Sequence, residues 1–364
     1  MPTLEEIAHR AGVSRSTVSR VVNGHPHVDP QTRARVWQVV RDVGYRPDSV
    51  ARSLVTRRTR VIAMVIPEVI PKLFSDQFFG LLLEGAAQAC NTRGYQLILA
   101  LFDQPRRQEE LYAQIVQNGF AEGVVVASVP PDTPLLAALK RDQIPTVAVG
   151  RQPGFPYVDV DNFGGAREAV RHLLQLGHRR IGTITGPLDH IHVQERLGGY
   201  RAALEEAGIA ADPDLVAEGG DTEVGAMAAM RKLLRVRPQA LFAQSDTMAA
   251  GALRVLRGAE VRVPQDLALV SFDDLPLASL VEPPLTTVRQ PIRLLGFRAV
   301  ELLLEILEGR KPSTEVVLPV ELVVRGSCGA LMSSDDKHEP RKQVGSVRSG
   351  LRRARPGRGN RPRG

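Results

Sequence analysis

The feature that most constrains the fold is a stretch of twenty residues near the N-terminus, LEEIAHRAGVSRSTVSRVVN, at positions 4–23. Its apolar residues first recur with the i, i+3, i+4, i+7 spacing of one helix face. Gly12 then allows the positive φ of a sharp turn. Ser14 is suited to cap a second helix, whose inward face would carry three valines. The pattern therefore predicts two short helices joined by a tight turn.

The outward face of the second predicted helix carries side chains that suit base edges and phosphates, with no acid among them. They are Arg15, Ser16, Thr17, Ser19 and Arg20. An ordinary helical hairpin with a solvated polar face would show the same pattern, so the motif alone leaves both interpretations open.

The next forty residues favour the DNA-binding interpretation. Asp29 and Pro30 start a third predicted helix, from Gln31 to about Val43. Residues 1–60 contain eleven arginines, no lysine and five acids, a net charge of +6. A short basic helical module of this kind is typical of a DNA-binding headpiece.

Several motifs together resemble one family. TLEEIAHRAGVSRSTVSRVVNG and HVDPQTRARVWQVVRDVGYRPDSVARSL resemble the headpiece of the lactose-repressor (LacI/GalR) family of transcriptional regulators. Further similar segments follow in the family's order: GHRRIGTITGP at 177–187, ERLGGY at 195–200, SDTMAAGAL at 245–253, VSFDD at 270–274 and PPLTTVRQP at 283–291. The resemblance covers about residues 2–330.

After residue 59 the sequence alternates between short apolar runs and helical segments. The predicted strands are 61–67, 95–101, 123–128, 145–150, 180–185, 215–219, 240–245 and 267–272, and predicted helices include 77–92, 108–118 and 134–141. Fully apolar runs are typical of parallel strands buried on both faces. Two consecutive α/β units of similar size predict two doubly wound lobes with a cleft between them.

The resemblance divides the chain into a small all-α helix-turn-helix headpiece at 1–46, a hinge helix at 47–59, and a two-lobed effector-binding and dimerisation domain at 60–330. That domain would have the α/β fold of periplasmic binding proteins. Its first lobe would hold about 60–160 and 290–320, and its second lobe about 161–289 and 321–330. The helix around 292–307 would return to the first lobe, and 315–325 would bridge both.

Charge is concentrated at the two ends of the chain. Residues 61–330 carry a net charge of −6, whereas residues 331–364 carry ten basic and three acidic side chains. This Arg-, Gly-, Pro- and Ser-rich tail is predicted to be disordered, either as a non-specific DNA-binding extension or as a solvated one without a selected role. It contains only two leucines, so the leucine heptad that joins two dimers in some family members is absent and a homodimer is expected.

Other classes of protein fit the sequence poorly. The N-terminus lacks an apolar signal core and no apolar run is long enough to cross a bilayer, so a cytoplasmic, nucleoid-associated protein without membrane contact is expected. The two cysteines show no metal-ligand spacing and should remain reduced thiols. There is no P-loop and no GxSxG elbow, so we expect neither enzymatic activity nor a cofactor or metal. A ligand-binding receptor without a DNA role is the alternative function.

The resemblance places the second helix in the major groove of double-stranded, pseudo-palindromic operator DNA, with Arg15 and Ser16 towards the base edges. Arg15 would contact guanine in a bidentate manner, or else a phosphate. In the hinge, Leu54 matches the leucine that wedges into the minor groove, although packing within a linker helix is the alternative. The predicted DNA-binding residues are Thr3, Ser14, Arg15, Ser16, Thr17, Ser19, Arg20, Asn23, Val50, Ala51, Arg52 and Leu54.

The resemblance also implies a small effector, a sugar or related metabolite, bound between the lobes. Arg196 matches the arginine that holds effector hydroxyls or carboxylates, and Asp246 and Asp273 fall at strand ends where such clefts collect ligand contacts. Asp246 would alternatively cap a helix, and Phe79 would alternatively belong to the core. The predicted effector-binding residues are Asp76, Phe78, Phe79, Asp161, Arg196, Asp221, Asp246, Asp273 and Gln290.

Two departures from the family pattern limit the prediction of the effector. Ser245 precedes Asp246 where relatives often have asparagine. The GGDTEVG segment is one residue shorter and lacks an aromatic residue, and Asp221 or Thr222 falls near that position. A stacking face is thereby replaced by a polar group, so the sequence does not identify a particular sugar.

Overall fold

The computed structural model describes residues 2–45 except 24 and 26, residues 59–102, and residues 119–331. Three predictions lie outside these residues: the hinge segment with Val50, Ala51, Arg52 and Leu54, the helix around 108–118, and the basic tail beyond residue 331.

The described residues form three N-terminal helices followed by two alternating series of strands and helices. The helices are α1 (Leu4–Ala11), α2 (Arg15–Val22), α3 (Pro30–Asp42), α4 (Ile70–Ser75), α5 (Gln77–Thr92), α6 (Pro134–Arg141), α7 (Asn162–Gln175), α8 (Ile191–Glu206), α9 (Glu223–Val236), α10 (Asp246–Gly258), α11 (Pro276–Leu280) and α12 (Ile292–Leu307). The strands are β1 (Val61–Val69), β2 (Gln96–Phe102), β3 (Gly123–Ala127), β4 (Thr146–Val149), β5 (Tyr157–Val160), β6 (Ile181–Thr185), β7 (Val216–Glu218), β8 (Ala240–Ala243), β9 (Ala268–Asp273), β10 (Thr286–Arg289), β11 (Glu315–Leu318) and β12 (Glu321–Val323).

The three N-terminal helices enclose a small core of their own. Its buried members are Ile7, Ala8, Ala11, Val18, Val21, Val22, Val36 and Val40. Gly12 has φ 61° between α1 and α2, as the turn requires. Pro30 occupies the first position of α3, where its missing N–H costs no hydrogen bond. The predicted pair of short helices with an inward valine face is confirmed.

Two six-stranded sheets follow the headpiece. The first has the order β11-β5-β4-β3-β1-β2 with all neighbours parallel, and the second has the order β12-β10-β9-β8-β6-β7, in which only β12 is antiparallel to its neighbour. Strands such as Gly123–Ala127 and Ala268–Asp273 are buried along their whole length. The prediction of two doubly wound lobes is confirmed.

The chain passes between the two sheets three times. It leaves the first sheet after β5, returns from β10 through α12 to β11, and crosses again from β11 to β12. Helix α12 packs against α5 of the first lobe at Gly85 and Gly296. A Cβ on Gly85 would collide with the backbone of Arg293, and one on Gly296 with the backbone of Leu82, so the two backbones approach as closely as glycine permits.

Four strands are absent from the predicted series: β5, β10, β11 and β12, the last two in the segment 315–325 that was expected to bridge the lobes. Tyr157–Val160 and Thr286–Arg289 are only four residues long, and each contains charged or hydroxyl side chains that interrupt the apolar run. Within the described part of the chain, no helix is long and apolar enough to cross a membrane.

Candidate functional site

A pocket lies between the lobes, at the carboxyl ends of the strands. Residues after β3 and β4 form one wall, and residues at the ends of β8, β9 and β10 form the other. The space, which includes its open mouth, measures about 940 Å³. A cleft at the strand ends of an α/β fold is where small ligands usually bind.

Seven of the nine predicted effector-binding residues line this pocket. They are Asp76, Phe78, Phe79, Arg196, Asp221, Asp273 and Gln290. Asp76 caps α5 by accepting a hydrogen bond from the backbone N–H of Phe78 at 3.0 Å. The two phenylalanine rings meet edge to face, 5.5 Å between centroids. Phe79 is 4% exposed and belongs to the core of the first lobe, as the alternative interpretation held, so Phe78 offers the larger aromatic face.

Arg196 projects from α8 into the centre of the pocket and is held from several sides. Its Nε donates to Oδ1 of Asn162 at 2.9 Å, and its Nη1 donates to the backbone carbonyl of Gln244 at 2.5 Å. The guanidinium stacks 3.7 Å from the centroid of the Phe272 ring. Because these contacts fix a long side chain that is 7% exposed, its donors are oriented before any ligand binds.

Asp273 is the charged partner of Arg196. Its Oδ1 lies 3.4 Å from Nη1 of Arg196 and accepts a hydrogen bond from Nε2 of Gln290 at 2.6 Å. Burial raises the pKa of Asp273 well above its usual range, and the Arg196 charge opposes that rise. The three side chains join α8, β9 and the segment after β10 into one polar floor.

Asp161 was predicted to contact the effector, and the structure places it elsewhere. Its side chain caps α7 by accepting a hydrogen bond from Gly164 N–H at 2.7 Å. Its neighbours Asp159 and Asn162 line the pocket instead. Asp161 follows the last residue of β5 and is the N-cap residue of α7, so its carboxylate is used by the first turn of that helix.

Asp246 also lies outside the pocket. It is fully buried at the start of α10, where its carboxylate accepts hydrogen bonds from Ser271 Oγ, Thr287 Oγ1 and Leu275 N–H at 2.5, 2.8 and 2.6 Å. Burial raises its pKa to about 7. Ser245 is the residue that caps α10. Asp246 therefore connects α10 to β9 and β10, and neither the ligand nor the capping interpretation was right.

Several pocket residues were not predicted from the sequence. They include Ser128, Arg151, Gln152, Asp159, Asn162, His190, His192 and Ser245. Ser128 and Ser245 end predicted strands, and Arg151 and Gln152 follow one; that position was the signal that could have identified these four residues. The histidines carry no such signal, because they stand at the N-terminus of α8: His190 is its N-cap residue, and His192 lies one helical turn before Arg196.

The first-lobe wall contributes a second charged cluster. Oδ2 of Asp159 accepts a hydrogen bond from the backbone N–H of Arg151 at 2.9 Å, and its Oδ1 accepts one from Asn162 at 3.0 Å. Nε of Arg151 lies 3.4 Å from Oε1 of Glu195, an ion pair that joins the first lobe to α8 of the second. Burial raises the pKa of both carboxyl groups, and repulsion from Asp159 adds to the rise for Glu195.

Three of the nine non-glycine residues with positive φ in the described part of the chain line the pocket. Ser128, Asp221 and Asp273 have φ values of 56°, 51° and 113°, a region that residues with a Cβ rarely adopt. The carboxylate of Asp221 occupies the space that a side chain at Gly186 would need. Such strain persists where surrounding structure enforces it and is typical of ligand-binding sites.

In the headpiece the predicted DNA-binding residues divide into two groups. Arg15, Ser16 and Arg20 are exposed on α2, and Arg15 Nε pairs with Oε1 of Glu5 at 2.8 Å. The others have contacts within the headpiece: Thr3 caps α1, Ser14 caps α2 and contacts the Thr17 hydroxyl, and Asn23 donates to Ser19.

Comparison with known proteins gives two family matches. Residues 3–48 match the model of bacterial regulatory proteins of the lacI family, and residues 170–328 match the periplasmic binding protein-like domain. The chain is 42% identical over 334 residues to the HTH-type transcriptional regulator CelR of Thermobifida fusca, covering 90% of this chain and 98% of that protein. It is 35% identical over 311 residues to the ribose operon repressor of Escherichia coli strain K12, covering 84% and 92%.

Two solved structures of transcriptional regulators are also similar to this chain. A transcriptional regulator CelR–cellobiose complex matches with a TM-score of 0.72 and 40% identity, covering 90% of this chain and 100% of that one. The lac repressor dimer bound to operator and the anti-inducer ONPF matches with a TM-score of 0.78 and 26% identity, covering 90% and 98%. With its headpiece, two lobes and polar pocket between them, the chain belongs to the lacI family of bacterial regulatory proteins and is a DNA-binding transcriptional regulator controlled by a small effector.

Proposed function

We propose that this protein is a dimeric, non-enzymatic repressor whose operator affinity is set by a neutral sugar bound between the lobes. Residues 1–46 would read DNA, residues 47–59 would form the hinge, and residues 60–330 would bind the effector and the second subunit. The protein would act in the cytoplasm at the nucleoid. The observation that carries the proposal is the fixed Arg196 at the centre of a cleft in a chain that also carries a helix-turn-helix.

The DNA-binding part of the proposal rests on α2. Arg15, Ser16 and Arg20 are exposed on the helix that recognition motifs place in the major groove. Thr17, Ser19, Asn23, Thr3 and Ser14 would approach phosphates while maintaining the helix ends. Val50, Ala51, Arg52 and Leu54 are proposed as hinge contacts to the minor groove, from the sequence resemblance alone. Two headpieces of a dimer would read a pseudo-palindromic site.

The charge of the pocket favours an uncharged effector. Four aspartates and two arginines line it. Both arginines already face carboxylates, Arg196 at Asp273 and Arg151 at Glu195. A phosphate or carboxylate on the effector would therefore meet an excess of negative charge with neither arginine unengaged.

The pocket also suits the two kinds of surface that a sugar presents. The pocket is lined by two carboxyl and two amide side chains: Asp159, Asp273, Asn162 and Gln290. The carboxylates can accept hydrogen bonds from sugar hydroxyls, and the amides can both accept and donate them. The exposed face of Phe78 can stack on the apolar face of a sugar ring. The CelR structure that matches this chain is a complex with cellobiose, so we propose a glucose-containing disaccharide and choose cellobiose as the first ligand to test.

Calorimetric titration of the purified protein tests the proposal. Cellobiose is expected to bind, glucose to bind more weakly, and glucose 6-phosphate to bind more weakly than glucose because of the carboxylates. Operator affinity measured by fluorescence anisotropy should change when cellobiose is added. Tighter binding of the phosphorylated sugar, or turnover of any of the three sugars, would contradict the proposal.

A further inference from the structure

Three buried polar side chains lie on two neighbouring strands, next to the backbone carbonyl that holds Arg196. Thr183 and Thr185 are on β6, and Gln244 follows β8. All three are at most 1% exposed. Among the described residues, five buried side-chain nitrogen or oxygen atoms have no hydrogen-bond partner, and four of these belong to this group: the two hydroxyls and both amide atoms of Gln244.

The sheet register places the three side chains on one face. Thr183 pairs with Phe242 and Ile184 with Ala243, so Thr185 stands opposite Gln244. Phe242 packs in the hydrophobic cluster that contains Tyr200 of α8, whereas Ile184 and Ala243 pack in the cluster on the other face. Thr183, Thr185 and Gln244 therefore lie between the sheet and the helix that carries Arg196.

The group is continuous with the effector pocket. The backbone carbonyl of Gln244 accepts the hydrogen bond from Arg196 Nη1, and the next residue, Ser245, lines the pocket. Thr185 is followed by Gly186, and the carboxylate of Asp221, which lines the pocket, lies against Gly186. The group therefore adjoins the polar floor of the pocket through the backbone of Gln244 and Ser245.

Four unpartnered polar atoms in one buried place are costly, and proteins commonly satisfy such atoms with an internal water. Neighbouring strands lie about 4.8 Å apart, a spacing that one water can bridge with two hydrogen bonds of about 2.8 Å. Hydroxyls and an amide together supply both donors and acceptors, as a water with three hydrogen bonds requires.

We propose that Thr183, Thr185 and Gln244 form an internal binding site for a single hydroxyl-sized group, occupied by water in the effector-free protein. This site forms the inner boundary of the effector pocket and supports Arg196 through the Gln244 backbone. Its existence does not depend on which effector binds.

Whether Tm rises or falls when the polar atoms are removed tests the site in the effector-free protein. Thr185→Val and Gln244→Met keep the shape of each side chain and remove its polar atoms. If the site holds water, both variants lose hydrogen bonds and Tm falls by a few degrees. If the site is dry, removing unpartnered groups raises Tm, and that result would overturn the proposal.

A matched control is available in the first lobe. Thr146 is also a buried strand threonine, and its hydroxyl donates to the carbonyl of Ile144 at 2.8 Å. Thr146→Val therefore shows the Tm loss caused by removing one satisfied hydroxyl. We expect Thr185→Val to change Tm in the same direction and by a similar amount. A crystal structure should show water density within hydrogen-bond distance of Gln244 and Thr185, and a dry site would also overturn the proposal.

Titration with cellobiose then identifies the occupant in the complex. Loss of tenfold or more in affinity for Gln244→Met would mean that an effector hydroxyl displaces the water, and unchanged affinity would mean that the water stays. This titration alone rests on the proposed function. If cellobiose fails to bind the unmodified protein, the proposed effector is wrong, while the Tm comparison, made without sugar, still decides the water site.

Discussion

At the scale of single residues, Arg196 has two roles that are physically linked. It offers oriented donors to the pocket, and it neutralises Asp273, whose carboxylate is buried beside it. A buried ion pair adds little net stability, but removal of one partner leaves an uncompensated charge. A substitution at Arg196 therefore tests binding and stability together unless the second effect is controlled.

Arg196→Ala should abolish the effector response and lower the free energy of unfolding by about 3–5 kcal/mol. The double variant Arg196→Ala/Asp273→Asn should recover much of that stability, because the unpaired charge is removed, yet still fail to respond to effector. Chemical denaturation and effector titration measure the two effects. A double variant that regains the effector response would remove Arg196 from the site.

Individual pocket residues could be predicted from the sequence only in part. Arg196 and Asp273 were identified because each stands in a motif with a family role. Asp159 and Asn162 were missed and Asp161 was chosen, since the sequence does not show which of several adjacent polar residues faces the cleft. Asp246 looked like a ligand contact, but its three donors come from Ser271, Thr287 and Leu275, which are distant in sequence.

At the scale of elements, α2 combines a buried valine face with an exposed polar face. Its first turn is held by Ser14, whose Oγ accepts the Thr17 N–H at 3.2 Å. Arg15 and Ser16 stand next to that cap at the helix N-terminus, the end that recognition helices direct to base edges. The cap and the proposed DNA-reading side chains are therefore neighbours with separable roles.

Ser14→Ala should destabilise the headpiece by about 1 kcal/mol because α2 loses its N-cap. Ser16→Ala should leave headpiece stability nearly unchanged and weaken operator binding. Hydrogen exchange of α2 amides and operator titration distinguish the two variants. Equal protection of the α2 amides in the Ser14→Ala variant and the unmodified protein would contradict the capping role.

Arg15→Ala should lower operator affinity by about 1–3 kcal/mol and affect binding to unrelated DNA much less, as expected for a base contact. Arg10→Ala is the control, since Arg10 is also exposed and paired with an acid, Glu6 at 2.7 Å. Affinities for operator and for scrambled duplex at one salt concentration provide the comparison. Equal losses on both duplexes would reassign Arg15 to a phosphate.

Apolar periodicity predicted most of the elements for a simple physical reason. Strands buried on both faces, such as Gly123–Ala127, must be apolar throughout, so they are visible in the sequence. Tyr157–Val160 and Thr286–Arg289 were missed because each is only four residues long and mixes apolar with polar side chains. Their place in the sheets comes from pairing with strands distant in sequence.

At the scale of the whole molecule, the pocket lies where the lobes meet, so an effector contacts both. Besides the three chain crossings, the lobes are joined by the Arg151–Glu195 ion pair and by a hydrogen bond from Leu277 N–H to Gln77 Oε1 at 3.1 Å. A ligand that prefers one arrangement of the lobes shifts the population towards it. The hinge segment connects that shift to the headpieces in the proposed mechanism, which either induces or co-represses according to the preferred arrangement.

The buried carboxyl groups near the pocket predict a dependence of stability on pH. Burial raises the pKa values of Asp159, Glu195 and Asp273, and that of Asp246 to about 7. The folded state therefore binds protons more tightly than the unfolded chain, so stability falls as pH rises from the ordinary carboxyl range, about 4, through 7. Tm should be higher at pH 6 than at pH 8.

Asp246→Asn provides the control for this prediction. An amide at position 246 can accept from Leu275 N–H and donate to the two hydroxyls, and it does not ionise. The difference in Tm between pH 6 and pH 8 should therefore shrink in this variant. Two results would contradict the raised pKa of Asp246. One is a Tm that rises from pH 6 to pH 8 in the unmodified protein, and the other is a variant that keeps the full Tm difference between these pH values.

The protein is proposed to read a specific DNA sequence as a dimer under effector control. The most direct test is selection of bound sequences from random duplex DNA by the full-length protein, with and without cellobiose. We expect an enriched palindrome of two half-sites in one of the two conditions and a much weaker enrichment in the other. Salt-sensitive binding without an enriched sequence in either condition would contradict it.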